Sequence, residues 1–202
     1  MFFDLDGMKF KTLPAQVAYV NKRYGIRTTL SDHIGRNHTL DSLVRERCPG
    51  LHFTRDEFYG DLAENFLTSV DWHKDVPPMD GMTAIAPLLA EKYTLMTVTA
   101  RQKSGIDVIK YLLDAHIPKC ISEIHCVYEK AADGTFKETS KKDFILSVSG
   151  EKIAFFDDTP EEIISMGDTV PSYLYDPDGL HHGMTGITNR VHSWWHIGEI
   201  FL

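Results

Sequence analysis

The chain has 202 residues, 43% of them hydrophobic and 25% charged, a balance that suits a folded chain with one sizeable core, or a core plus a small insert, and speaks against disorder. A formal net charge of −8 argues against binding a nucleic-acid polymer, which needs clustered Lys and Arg, but leaves room for a small anionic substrate. The three cysteines, Cys48, Cys120 and Cys126, are odd in number and lack a CxxC spacing, so neither a disulfide framework nor a Cys-rich zinc site is expected. Acidic residues stand where a signal peptide would carry positive charge, and no run reaches membrane-spanning length, which predicts a cytoplasmic protein with reduced thiols and no membrane partner.

In chain order, MFFDLDG comes first. Residues two apart on an extended chain share a face, so Asp4 and Asp6 are expected to aim at the same space. Two carboxylates held close repel unless a cation or donors offset them, which points to a metal or a shared acid/base task; the plainer reading is a short strand entering an Asp-Gly turn. From about Leu13 to Val76 the pattern is helical throughout. Val17, Val20 and Tyr24 recur until Gly25, Leu40, Leu43 and Val44 mark a second helix, and a capping box of Thr54 with Glu57 opens a third that buries Phe58, Leu62 and Phe66.

Beyond Pro77 and Pro78 strands alternate with helices. Met82, Ile85 and Leu89 predict a helix that Pro87 either kinks or enters near its start, and Tyr93 to Val98 a strand. Ser104 and Asp107 are expected to cap a helix carrying Ile106, Ile109 and Leu113, with a strand from Ile121 to Val127 behind it. Asp133 and Gly134 signal a hairpin, Ser140 caps a helix through Phe144 and Val148, and Lys152 to Phe156 is a buried strand. Thr159, Pro160 and Glu162 read as another capped helix start, and Ser172 to Tyr175 as a last strand. Such alternation predicts an α/β fold, a parallel sheet covered by helices on both faces, whose site lies at the carboxyl ends of the strands. The residues expected there are Asp4 and Asp6, Thr99, Lys141 and Lys142, and Asp157 and Asp158.

Carboxylates, a hydroxyl and an ammonium at one sheet edge suit phosphoryl transfer to a carboxylate nucleophile, which is ionised at neutral pH and needs no prior deprotonation. Asp4 is the expected nucleophile. Mg²⁺ would be held by Asp4, by Asp157 with Asp158 beside it, and by the Asp6 backbone carbonyl, while Thr99 and Lys142 bind the remaining phosphoryl oxygens. Asp6 would protonate the leaving alkoxide and later deprotonate the attacking water.

On these motifs the sequence resembles the haloacid-dehalogenase (HAD) superfamily of phosphatases. FFDLDG is similar to its DxD motif, LMTVTAR to its hydroxyl motif, Lys142 to its lysine and IAFFDDTP to its terminal acidic motif, in the family's order. The resemblance implies Mg²⁺-dependent hydrolysis of a small-molecule phosphate ester on a Rossmann-like core, residues 1–12 and 77–202, with a small helical cap, residues 13–76, inserted after the first motif. Of Lys141 and Lys142, one is expected to point to solvent, and the motif's spacing favours Lys142 at the site. Met8 departs from the family's small β-branched or hydroxyl residue, and only three residues precede Asp4.

Within the superfamily, YGIRTTLSDHIGRNHTLDSL, PPMDGMTAIAPLLAEKYTLMTVTAR and ITNRVHSWWHIGEI are similar to the 5'(3')-deoxyribonucleotidase-like group, which makes nucleoside monophosphates the first expected substrates and sugar phosphates or other small phosphometabolites the alternative. Arg101 is expected either to touch phosphate or to pair with a surface acid. The cap offers Asn37, His38 and Trp72 as substrate contacts, and Trp72 could stack on a base. His181, His182, His192 and His196 lack the Cys or acidic partners of a zinc site, and Trp194 and Trp195 are expected to pack the tail onto the core. A phospho-accepting receiver domain combines similar groups in a different order and without a helical insert; a non-catalytic binding protein is the remaining alternative.

Overall fold

The computed structural model describes residues 1–33, 39–130 and 136–202. In chain order the elements are β1 (Phe2–Phe3), α1 (Leu13–Tyr24), α2 (Leu30–His33), α3 (Leu40–Arg47), α4 (Arg55–Asp61), α5 (Val70–His73), α6 (Met82–Lys92), β2 (Leu95–Gln102), α7 (Ile106–His116), β3 (Ile121–Lys130), β4 (Phe136–Glu138), α8 (Lys141–Ser147), β5 (Phe155–Asp157), α9 (Pro160–Met166), β6 (Ser172–Tyr175), β7 (Arg190–Val191) and α10 (Trp194–Phe201). The sheet order is β4-β3-β2-β1-β5-β6-β7, in which six strands run parallel and β4 alone runs against β3. This is the α/β architecture expected from the alternation, with β1 at its centre.

Two residues suffice for β1 because both faces of the sheet are covered. Phe3 enters one apolar cluster with residues of α6, α7 and α10, whereas Phe2 joins another with Ile145 of α8, Ile163 of α9 and Leu174. Phe3 stacks on Phe156 at 4.7 Å and on Trp194 at 5.1 Å, which locks β1 to β5 and to the last helix. Of the tail's two tryptophans, Trp194 is fully buried as expected, but Trp195 is 48% exposed.

The helical stretch from α1 to α5 has its own apolar cluster, built on Val17, Val20, Val44, Phe58, Leu62 and Phe66. Gly25 ends α1 in the left-handed region, and the Thr54–Glu57 capping box forms in both directions. After α4 the chain continues through a π turn, Leu62–Phe66, whose looser winding keeps Phe58, Leu62 and Phe66 on one face despite their strict four-residue spacing.

Several local expectations are corrected. Neither Ser104 nor Asp107 caps α7; a 3₁₀ turn over Lys103–Gly105 leads in, and no side chain caps it. Thr159 does not cap α9 through its side chain either; its own amide donates to Asp157 Oδ1 at 2.9 Å. Pro87 sits in the sixth position of α6, beyond the first turn, on a partly buried face. The hairpin signal at Asp133 and Gly134, like Asn37 and His38, lies outside the described residues.

Candidate active site

The strand stops before the first aspartate. Asp4 follows Phe3 directly, and the chain then folds into a tight turn in which Lys9 and Phe10 both donate to the Leu5 carbonyl, at 2.9 and 3.2 Å. Asp4 and Asp6 therefore meet through a turn and not through the alternation of a strand. Gly7 makes the turn possible, since it has φ +69° and a Cβ built on it would overlap the Asp158 carboxylate. Met8, the departure from the family pattern, is fully buried beneath the turn, and its carbonyl accepts the Trp194 indole N–H at 2.9 Å.

Opposite the turn, Lys141 at the start of α8 donates to Asp4 Oδ1 at 2.7 Å and to Asp157 Oδ2 at 2.6 Å, with all three side chains buried. This corrects the choice of lysine. Lys142 turns away and donates to the Ser165 carbonyl at the surface. Helical periodicity held the signal: Lys141 shares a face with the fully buried Ile145, whereas Lys142 shares one with Leu146, which is 45% exposed.

Carboxylate oxygens of Asp4, Asp157 and Asp158 all lie within 4.8 Å of one another. Burial, opposed by Lys141 and reinforced by Asp157 and Asp6, pushes the Asp4 carboxyl up to about 7, and burial likewise raises Asp157 and Asp158. Lys141 stays protonated because the two carboxylates outweigh its burial. A second, unforeseen ammonium lies behind the cluster: Lys9, fully buried, donates to the carbonyls of Phe3 at 3.1 Å and Asp4 at 2.9 Å, and burial lowers it to about 7. Nothing in the run GMKF distinguished this lysine from a surface one. The carboxylates remain raised despite both ammoniums, so the cluster is short of positive charge, and an all-oxygen set of this kind suits a hard divalent cation.

Asp6 is engaged differently. Its carboxylate receives Arg101 Nε and Nη2, both at 2.8 Å, a two-point pair with a site acid where phosphate or a surface acid was the expectation. Burial raises the Asp6 carboxyl, but the Arg101 charge and hydrogen bonds, helped by Thr12, outweigh it and hold Asp6 below its ordinary value. Thr99, buried within β2, which runs on to Gln102 and does not stop at Val98 as expected, accepts the Arg101 backbone N–H at 3.2 Å and keeps its hydroxyl proton for another acceptor.

Trp72 is not presented as a stacking platform. It meets Tyr19 edge-on at 5.3 Å, lies near Phe66 and has Lys22 over its ring at 5.3 Å, so it packs the helical stretch. Among the described residues, the one group of three or more His, Cys, Asp or Glu arranged to hold a metal is Asp4, Asp157 and Asp158, and no helix is long and apolar enough to cross a membrane.

Neither a protein-family model nor a curated protein matches the sequence. Solved structures match over its whole length. A haloacid-dehalogenase-like hydrolase from Streptococcus pneumoniae is 14% identical with a TM-score of 0.63, over 100% of this chain and 97% of that one. A predicted phosphoglycolate phosphatase from Haemophilus somnus is 16% identical, TM-score 0.61, over 100% and 96%. A HAD hydrolase from Bacillus subtilis, solved with bound magnesium, is 16% identical, TM-score 0.60, over 99% and 96%. The fold is thus a Rossmann-like core of the HAD type.

Proposed function

We propose that this chain is a Mg²⁺-dependent phosphomonoester hydrolase that works through an aspartyl-phosphate on Asp4, with sugar phosphates or other small phosphometabolites as substrates. The observation that carries the reading is the bridge of Lys141 between Asp4 and Asp157, with Asp158 alongside, at the carboxyl edge of the sheet. Asp4, Asp157 and Asp158 would hold Mg²⁺, with the Asp6 backbone carbonyl as a further oxygen; when bound, the ion supplies charge neutralisation for the phosphoryl group. That added charge would also bring the raised Asp4 carboxyl down into the ionised form that attack requires.

Asp4 attacks phosphorus, and the ammonium of Lys141 and the hydroxyl of Thr99 neutralise the phosphoryl oxygens. Asp6 lies at the same edge and passes protons, first to the leaving oxygen and then from the water that releases phosphate. As found, with Arg101 gripping it, Asp6 is an anion and thus ready for the second task; an incoming phosphate dianion raises its proton affinity for the first. The helices of residues 13–76, with a separate apolar cluster and a contact to the site through α5, act as the cap.

Support for the substrate class comes from the named neighbours, one of them described as a phosphoglycolate phosphatase and none of the three as a nucleotidase. The nucleotide expectation loses its structural argument with Trp72, which is engaged in packing. The test is phosphate release with Mg²⁺ from sugar phosphates, phosphoglycolate and nucleoside monophosphates, for wild type and Asp4→Asn. Release from the first two, lost in the variant and on chelation, is expected; preference for nucleoside monophosphates would restore the nucleotidase reading, and Mg²⁺-independent release would contradict the mechanism.

A further inference from the structure

Behind Asp6 a buried chain of contacts leads out of the core into the helical stretch. His73, the last residue of α5, is fully buried, and Arg101 is 3% exposed. His73 Nδ1 lies 2.8 Å from the Ser69 carbonyl, and its Nε2 lies 3.1 Å from Arg101 Nη2. A carbonyl only accepts, so Nδ1 carries the proton; Nε2 is then the lone-pair nitrogen, and the guanidinium donates to it. Burial and the Arg101 charge lower the imidazole to about 4, which keeps that tautomer neutral through the physiological range. The ring is fixed on its other side by Phe66, 4.6 Å away.

Arg101 has little else to hold its plane. Nε and Nη2 go to Asp6, Nη2 also to His73, and Nη1 is buried with no hydrogen-bond partner. Remove the imidazole acceptor and the guanidinium is anchored by Asp6 alone, the very group it has to orient.

We propose that His73 is a positioning residue for the reaction, fixing Arg101 so that the guanidinium holds the Asp6 carboxylate in line for proton transfer. The inference rests on the phosphatase reading. The step most exposed to it is the second. Once Asp4 carries the phosphoryl group, the oxygen of water bonds to phosphorus, the bond from phosphorus to Asp4 Oδ breaks with its electron pair returning to the carboxylate, and the water proton passes to Asp6.

p-Nitrophenyl phosphate separates the two halves, because p-nitrophenolate departs without a proton whereas the water still needs Asp6. With Mg²⁺, His73→Phe should lower kcat roughly 10- to 100-fold, leave kcat/KM within about 3-fold, and produce a burst of p-nitrophenol equal to the enzyme present. His73→Gln, whose amide oxygen accepts from Arg101, should recover kcat to within about 3-fold of wild type. Arg101→Lys keeps the charge, loses the two-point grip and should reproduce the split even where His73→Phe folds poorly. An equal fall of kcat and kcat/KM in both His73→Phe and Arg101→Lys, no fall in either, or a Gln variant no better than Phe would overturn the positioning role while phosphatase activity stands. A wild-type enzyme inert on p-nitrophenyl phosphate and on the natural esters above would instead sink the phosphatase reading and this inference with it.

Discussion

The sheet edge and the helical stretch treat charge in opposite ways. At the edge, Asp4, Asp157, Lys141, Lys9 and Arg101 are each at most 5% exposed, and the carboxyls of Asp4, Asp157 and Asp158 stay raised despite their partners. In the helical stretch the pairs Arg23–Asp61 and Arg45–Asp41 keep their arginines about half exposed, with side-chain exposures of 56% and 48%. Buried ion pairs of the first kind contribute little net stability because desolvation offsets attraction, and solvent-exposed pairs of the second kind contribute little because water screens them. A fold that keeps crowded, under-compensated charge at one edge carries it for chemistry, whereas the helical stretch is held by its apolar cluster and caps.

Substitutions sharpen that contrast. Asp4→Asn should cost at least about 10³-fold in phosphate release with the circular dichroism spectrum intact. Next, Lys141→Met should lose about 10²- to 10³-fold, as for a lost oxyanion donor, while Lys142→Met stays within about 2-fold; equal losses would return the role to both lysines.

Stability against pH should separate the regions too. His73 titrates near 6.5 when unfolded and near 4 when folded, so between those values the unfolded chain binds a proton that the folded chain refuses. The stability present above pH 6.5 is therefore lost as pH falls toward 4, on the order of 3 kcal/mol from this group. Urea unfolding at pH 7 and pH 4 should show that extra loss in wild type and its absence in His73→Gln. The smallest effect belongs to the cap of α4: Thr54→Ala should cost about 1 kcal/mol in urea unfolding and leave kcat unchanged.

How much of this was legible in the sequence follows from how each signal is written. The alternation of apolar strands with capped helices carried the sheet, and local hydrogen-bonding grammar carried the capping box at Thr54 and the Ser140 cap of α8. Thr159 shows the limit of that grammar, since its side chain makes no cap bond and its amide donates to Asp157. The acids of the site were readable from their positions at strand ends. Their partners were not all so: Lys141 was separable from Lys142 only by the face it shares with Ile145, Lys9 is turned inward by its own tight turn onto the carbonyls of Phe3 and Asp4, and His73 meets its partner Arg101 from a distant segment. His73 meets Phe66 from a separate helix, so no single helical periodicity in the sequence marked this histidine as interior.

The most direct test of the account is to find where the phosphoryl group goes. Wild-type protein mixed with Mg²⁺ and the best ester of the panel, quenched in acid within a turnover and digested, should yield one phosphoryl group on the peptide that carries Asp4 and none in Asp4→Asn. Turnover with no phosphoryl group on that peptide, retained when Asp4 is Asn, would contradict the central role given to Asp4.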